Sequence, residues 1–270
     1  MFKKITTLFR IARRISQSDI INIVSKFQEI PKIVKLFSYI LSFSFSKSDT
    51  LKNNNTNEGE KLCNSIQKMG TTFIKLGQFL STRPDIIGDE IAKKLEKLQD
   101  KLPPFPANEA KKIIKKELGD NSFSLLLNIS EPVAAASIAQ VHKAQLNENG
   151  TIKDIAIKIL RPDIKKIFNE EIDALMLLAF LIEGTIKKTK RLKLVEVVFL
   201  LKEITNLELD LRFEASAANE FLENTKNDLG FNVPKIFWNY TSENVLTLEW
   251  IDGFSIREKE KLDKKNIDTK

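Results

Sequence analysis

The feature that most constrains this chain is a change of hydrophobic period. Up to Leu118 the apolar residues recur at spacings of three and four. Between Ser130 and Leu160 they alternate at every second residue, and helical spacing returns from Arg161 onward. The first period is that of an amphipathic helix and the second that of a half-buried strand. In this order they predict an α+β protein: helices, a small antiparallel sheet, then long helices. Residues 130–146, SEPVAAASIAQVHKAQL, read as strand, small-residue turn, strand. Asn147-Glu148-Asn149-Gly150 then supplies the Asn-Gly chemistry of a tight hairpin. DIAIKIL, 154–160, is a third strand, with Ala156 and Lys158 on one face and Ile155, Ile157 and Ile159 on the other. Residues 232–249 return to strands, NVPKIFW and VLTLE, around a turn near 240–244.

Among the helical stretches, residues 63–82 organise the rest. Ile66, Met69, Phe73, Leu76 and Leu80 form an apolar stripe, and Thr71, Lys75, Gln78 and Thr82 a polar one. Lys75 and Gln78 point the same way, one turn apart. Gly77 lies between them and costs about 1 kcal/mol against alanine, so something should pack close to its backbone. Taken alone, the pattern also suits an amphipathic helix with a solvated polar face. Arg83-Pro84-Asp85 ends it. A helix over 89–101 carries Ile91, Leu95 and Leu98. One over 108–118 has Asn108 as N-cap and Gly119 as C-cap. Arg161-Pro162-Asp163 opens a helix with Pro162 at or near its first position, running to about 188. A second long helix over 194–226 carries Glu208, Asp210 and Glu214. The expected organisation is an amphipathic helical region over 1–46 and a polar linker over 47–59. Helices over 60–119, a sheet with inserted helices over 120–256 and a charged tail over 257–270 follow.

The single cysteine, Cys63, excludes a disulfide within the chain and suits a reducing compartment. With the single histidine, His142, it leaves almost nothing for a zinc site. Cys-His or Ser-His-Asp catalysis would have to use His142. No nucleophile elbow surrounds it, and its place in AQVHKAQL reads as structural. The net charge of +7 and pI near 9.2 fit nucleic acid, an anionic membrane surface or nucleotide phosphates, besides a plain lysine-rich surface. No dense basic block is interleaved with aromatics, so nucleic acid is not expected as a partner. No stretch of 18 apolar residues exists; the nearest, residues 33–45, is too short and contains Lys35. Phe2, Ile5, Leu8 and Phe9 share a helical face ringed by Lys3, Lys4, Arg10, Arg13 and Arg14. That face suits an anionic membrane, a partner or the rest of the fold. The N-terminus lacks signal-peptide features.

Lys158 carries the first chemical reading. A lysine after Ile-Ala-Ile on a strand must reach a charge or the strand edge. The turn Ala134-Ala135-Ala136-Ser137 lets a backbone approach a ligand, with N–H groups able to face phosphates. Small-residue turn, strand, hairpin, strand with Ala-Ile-Lys is the order of a kinase N-terminal lobe. In that scheme Lys158 binds nucleotide phosphates and pairs with a helical glutamate, Glu208 or Glu214. Residues 247–253 form the hinge that receives adenine.

Five motifs in order then resemble the UbiB/AarF group of atypical kinase-like proteins, linked to ubiquinone biosynthesis. Lys75-Leu76-Gly77-Gln78 matches the Lys-x-Gly-Gln signature. Pro132-Val-Ala-Ala-Ala-Ser137 matches the alanine-rich loop. Ala156-Ile157-Lys158 with Arg161-Pro162 matches the strand lysine. Glu208-Leu209-Asp210 matches Glu-x-Asp, and Leu248-Glu-Trp-Ile-Asp-Gly253 the hinge.

The resemblance implies a protein-kinase-like N-lobe that takes ATP or ADP. Lys158 would contact phosphates and pair with Glu214 ahead of Glu208. Ala134, Ala135, Ala136 and Ser137 would form the nucleotide loop, with Glu249 and Ile251 in the hinge. Lys75, Gly77 and Gln78 would lie as a lid near Glu208 and Asp210, disfavouring protein phosphorylation. Mg2+ is expected for the family, but no Asp-Phe-Gly follows Gly253 and no His-x-Asp loop is present, so its ligands and any catalytic residue are not expected in this chain. The reading is an atypical kinase or ATPase component without its C-lobe, weak or inactive alone. It would sit at the cytoplasmic face of the bacterial inner membrane or in the cytoplasm. A separately encoded C-lobe and ubiquinone-biosynthesis proteins are the implied partners. The alternative is a non-catalytic membrane-associated or partner-binding module.

Overall fold

The computed structural model describes residues 6–7, 9–11, 13–14, 58–96, 98, 102–185, 187–253 and 264. In chain order come helices α1 (Glu58–Met69), α2 (Thr71–Ser81), α3 (Pro84–Ile87), α4 (Asp89–Leu95) and α5 (Ala107–Ser124). Strands β1 (Leu126–Leu127), β2 (Pro132–Ala135), β3 (Ala139–Glu148) and β4 (Thr151–Leu160) follow. Then come α6 (Ile164–Thr185), α7 (Leu194–Glu208), α8 (Leu211–Thr225) and β5 (Val245–Glu249), with 3₁₀ turns at Lys187–Leu192 and Trp238–Tyr240. This is an α+β fold with a small antiparallel sheet. The chain forms two compact units: Met1–Phe105 with Ala134–Gln140 and Leu160–Asp210, and Pro106–Val133 with Val141–Ile159 and Leu211–Lys270.

The first unit is helical. Ile66, Met69, Phe73, Ile74, Ile91, Leu95 and Leu98 are buried where α1, α2 and α4 meet. Phe168, Ile172, Val198 and Leu201 fill the α6–α7 hairpin. The single helix expected over 63–82 is two. Gly70 adopts φ 104, a value that costs a side chain heavily and glycine little, and the chain turns there. Met69 consequently ends a helix with its carbonyl unpaired along the axis, and Arg14 Nη1 donates to it at 2.9 Å. The same nitrogen lies 3.2 Å from Glu171 Oε1, a buried carboxylate on α6. Of the apolar N-terminal face, Phe9 is exposed while Thr7 and Ile11 are buried. Phe2, Ile5, Leu8, residues 33–45 and the linker over 47–57 lie outside the described residues.

The helix expected over 194–226 is also two, α7 and α8. Leu209 closes α7 with its N–H on the Thr205 carbonyl at 2.9 Å, and Asp210 N–H reaches only Leu207 at 3.4 Å. The helix over 89–101 stops at Leu95, although Leu98 is buried as its spacing required. Pro162 precedes α6 instead of starting it, because Asp163 takes φ 54 before the helix begins.

The second unit holds the sheet, ordered β1-β3-β4-β5, with β2 paired to β3. The β3–β4 turn is the hairpin expected from Asn149-Gly150. Both residues have positive φ, 51 and 83, as a type I′ turn demands. Asn147 Oδ1 accepts from Gly150 N–H at 3.2 Å. Ile155, Ile157 and Ile159 are fully buried, so the period-two reading of β4 holds. β4 and β5 are antiparallel, with Lys158 opposite Leu246 and Ala156 opposite Leu248. NVPKIFW does not form a full strand: a single antiparallel bridge joins Ile236 to Leu248. It is flanked by two backbone bonds of 2.9 Å, Phe237 N–H to the Thr247 carbonyl and Glu249 N–H to the Lys235 carbonyl. Helix α5 starts after Pro106, so Asn108 is not its cap; within it Gly119, at φ 79 and ψ 166, breaks the helical path between two helical stretches, where the sequence placed the end of the helix over 108–118. Glu117 on α5 accepts from Ser242 Oγ at 2.8 Å and Asn244 Nδ2 at 2.9 Å. His142 is fully buried, with Nδ1 2.8 Å from the Ser130 carbonyl. No helix among the described residues is long and apolar enough to cross a membrane.

Candidate functional site

In the first unit, Lys75 Nζ on α2 lies 2.6 Å from Glu208 Oε2, with side-chain exposures of 14% and 37%. Glu208 is the last residue of α7, where the helix dipole disfavours a carboxylate. The ammonium supplies the cation that this end lacks. Gln78 is half-buried one turn on, and Ser81 Oγ donates to its carbonyl at 2.6 Å. Asp210 is half-buried just past the end of α7.

Gly77 does allow a close approach, but to a core leucine. A Cβ there would stand 2.7 Å from Leu98 Cδ2 and 3.4 Å from Ile66 Cγ2. The glycine therefore serves the packing of α1, α2 and the chain after α4.

The small-residue loop is shorter than its sequence suggested. Ala134 and Ala135 end β2, and the turn is Ala136-Ser137-Ile138. Its geometry is fixed by residues distant in sequence. Arg161 donates from Nε and Nη2 to the Ala136 carbonyl at 3.0 and 2.9 Å, and from Nη2 to the Pro103 carbonyl at 3.0 Å. Thr71 Oγ1, in the first turn of α2, donates to the Ser137 carbonyl at 3.1 Å. Gln140 and the backbone of Phe105 exchange bonds of 2.9 and 3.2 Å. Ala136 N–H donates to the Ala139 carbonyl at 2.8 Å and is thereby committed to the turn. The arginine and Gln140 were missed by sequence reasoning. The one local signal was an Arg-Pro directly after a strand.

In the second unit, Lys158 Nζ binds both oxygens of Glu214 on α8, at 2.8 and 2.6 Å. The exposures are 26% for the lysine and 50% for the glutamate. Of the two glutamates considered for Lys158, Glu214 makes this pair and Glu208 goes to Lys75. Beside the sheet, Gln145 donates to Asp154 at 3.2 Å and Lys143 pairs with it at 3.2 Å. The Gln145 hydrogen bond, and then the Lys143 contact, hold the Asp154 carboxyl below the usual range. Glu249 closes β5, its N–H on the Lys235 carbonyl at 2.9 Å. The Trp250 backbone N–H then donates to the Asp154 backbone carbonyl at 3.2 Å, and exposed Ile251 follows.

Among the described residues no three His, Cys, Asp or Glu side chains group to hold a metal ion.

Three matches to known proteins bear on this arrangement. Residues 97–270 match the family model of the ABC1 atypical kinase-like domain. A probable protein kinase UbiB of Marinobacter nauticus is 36% identical over 240 residues, covering 88% of this chain and 42% of that protein. Its counterpart in Pseudomonas aeruginosa is 32% identical over 264 residues, covering 97% of this chain and 48% of that protein. The chain thus spans less than half the length of these relatives. The matched region takes in the small-residue turn, the strand lysine with its helical glutamate, and the strand ending at Glu249. On that match, the chain belongs to the ABC1 atypical kinase-like family.

Proposed function

We propose that this chain is a nucleotide-binding part of a UbiB-type atypical kinase or ATPase that supports ubiquinone biosynthesis. The bidentate Lys158–Glu214 pair carries the reading. A strand lysine held by a helical carboxylate, with its ammonium still reachable from solvent, is what phosphate oxygens of ATP or ADP require. When bound, the nucleotide supplies a transferable phosphoryl group. Lys158 balances phosphate charge, Glu214 fixes the ammonium, and the backbone at Glu249 and Ile251 receives adenine. The loop ending at Ser137, pinned by Arg161 and Thr71, is stiff where ordinary kinases are glycine-rich and mobile. With no Asp-Phe-Gly and no His-x-Asp in its sequence, the 270-residue chain binds nucleotide and hydrolyses it weakly or not at all. The substrate, the membrane-face location and any contact with ubiquinone-biosynthesis proteins belong to the same proposal.

The test is thermal unfolding of the purified chain with ATP and with ADP. A ligand at about 100 times its Kd adds about 2.7 kcal/mol of stability. Both nucleotides should raise Tm, and Lys158→Ala should abolish the rise without lowering Tm in their absence. No shift for the unaltered chain overturns the nucleotide reading. Rapid magnesium-dependent hydrolysis that Lys158→Ala removes overturns the weak-hydrolysis part.

A further inference from the structure

Helix α8 carries Glu214, yet only Leu211 and Ala215 of its 15 residues are buried. Its place against the sheet is therefore set at its first turn, and Glu214 lies in that turn. The Leu211 N–H is one of the donors that a helix start leaves without an intrahelical partner. It donates to the Glu243 carbonyl at 3.0 Å. Glu243 is the middle of the 242–244 turn, which Ser242 N–H closes on the Val245 carbonyl at 2.7 Å. The turn leads straight into β5, where Val245 and Leu246 stand opposite Ile159 and Lys158. One short turn thus meets both halves of the Lys158–Glu214 pair. It holds the helix start on one side and begins the strand beside the lysine on the other. Its two polar side chains donate to a single group. Glu117 Oε2 accepts from Ser242 Oγ at 2.8 Å, and Oε1 from Asn244 Nδ2 at 2.9 Å. The Asn244 N–H donates in turn to Ser242 Oγ at 3.3 Å. All three side chains are half-buried, and a carboxylate makes such bonds about twice as strong as a neutral acceptor does. Ala110 and Ile114 are fully buried, which fixes the helix that presents Glu117.

We propose that Glu117 is a positioning residue for the nucleotide site. It locks the 242–244 turn, the turn holds the start of α8, and α8 presents Glu214 to Lys158. Without the carboxylate, the Ser242 and Asn244 donors lose their common acceptor and the Glu243 carbonyl its fixed place. The first turn of α8 then drifts, because Leu211 and Ala215 are all the buried side chains it has to hold it. Glu214 parts from the ammonium, and Lys158 is no longer aimed at phosphate. Glu117 acts through the turn and not on the ligand. This role rests on the nucleotide reading of Lys158.

The test compares ATP affinity and pair coupling in the full 270-residue chain. Glu117→Ala should weaken ATP binding about fivefold, measured at a temperature where the chain is fully folded. In a Glu214→Ala background the same substitution should cost less than about twofold, since the carboxylate it positions is gone. Glu117→Gln keeps one acceptor oxygen and should bind ATP within about twofold of the unaltered chain. Ser242→Ala removes one of the two bonds from the other side, at less risk to folding, and should weaken binding by about twofold or more. A second readout needs no nucleotide. The coupling between Lys158 and Glu214, from urea unfolding of a double-mutant cycle, should fall by about half or more when residue 117 is alanine. If the unaltered chain binds no ATP, the nucleotide reading fails and this coupling alone decides the role of Glu117. Unchanged coupling overturns the proposal. So does an ATP loss that is equal with and without Glu214, or a lowered Tm with unchanged affinity. Either would leave Glu117 a structural tie between α5 and the sheet.

Discussion

The two compact units each hold a lysine–glutamate pair, and the pairs are built differently. In the first, Lys75 is 14% exposed and meets one oxygen of a glutamate at a helix end. In the second, Lys158 is 26% exposed and takes both oxygens of a half-exposed Glu214. The first cation is largely withdrawn from water and answers a local need, a carboxylate stranded where the α7 dipole repels it. The second stands on a strand whose neighbours Ile157 and Ile159 are fully buried, and its head group can still exchange partners. The lesson is that the same two residue types serve as a clamp when water is shut out and as a docking point when it is not.

The largest effect that could break this comparison is on nucleotide affinity. Lys158→Met should weaken ATP binding at least about tenfold, equivalent to 1.4 kcal/mol, and change stability by less than about 0.5 kcal/mol, as exposed pairs do. Lys75→Met should do the reverse. It leaves Glu208 unpaired at a helix C-terminus, costing about 1 kcal/mol and lowering Tm by roughly 2–4 °C whether or not ATP is present. Nucleotide titrations and melts of both variants separate the cases. If both lose stability equally and neither loses nucleotide, the distinction between clamp and docking point is wrong.

A smaller effect sharpens it. Added salt screens exposed charges within about 10 Å at 0.1 M and less at higher concentration. The coupling between Lys158 and Glu214, measured by a double-mutant cycle, should fall by about half or more between low and high salt. The coupling between Lys75 and Glu208 should fall less. Equal salt dependence would place both pairs at the same depth.

How far the sequence carries this contrast depends on the range over which each cause acts. The β3–β4 hairpin and the Lys158 strand were legible because Asn149-Gly150 and the isoleucine alternation act between neighbours. The breaks at Gly70 and at Leu209-Asp210 were not. Apolar spacing runs through both, and a positive φ or an unmade backbone bond leaves no mark on periodicity. The grip of Arg161 on the turn was illegible for another reason. Its acceptors, Ala136 and Pro103, are far away in the chain. Lys75 was singled out by its helical stripe and by motif resemblance, and its partner Glu208 came through the resemblance alone.

The smallest expected effect concerns Gly77, two residues from Lys75 on the same helix. Replacing it with alanine should gain about 1 kcal/mol of helix propensity in α2. The new methyl would stand 2.7 Å from Leu98 Cδ2, so Leu98 must move. That atom is the far end of a side chain, not backbone, and overpacking of this kind costs about 1 kcal/mol at the low end. The two terms nearly cancel, and urea unfolding of Gly77→Ala should give a stability within about 1 kcal/mol of the unaltered chain. Gly70→Ala is the matched control, because φ 104 is closed to alanine and the loss there should be at least about 1 kcal/mol. A loss at Gly77 as large as that at Gly70, together with a vanished coupling between Lys75 and Glu208, would mean that Leu98 cannot yield. The clamp would then be a consequence of how tightly α2 is packed, and not of the charge at the end of α7.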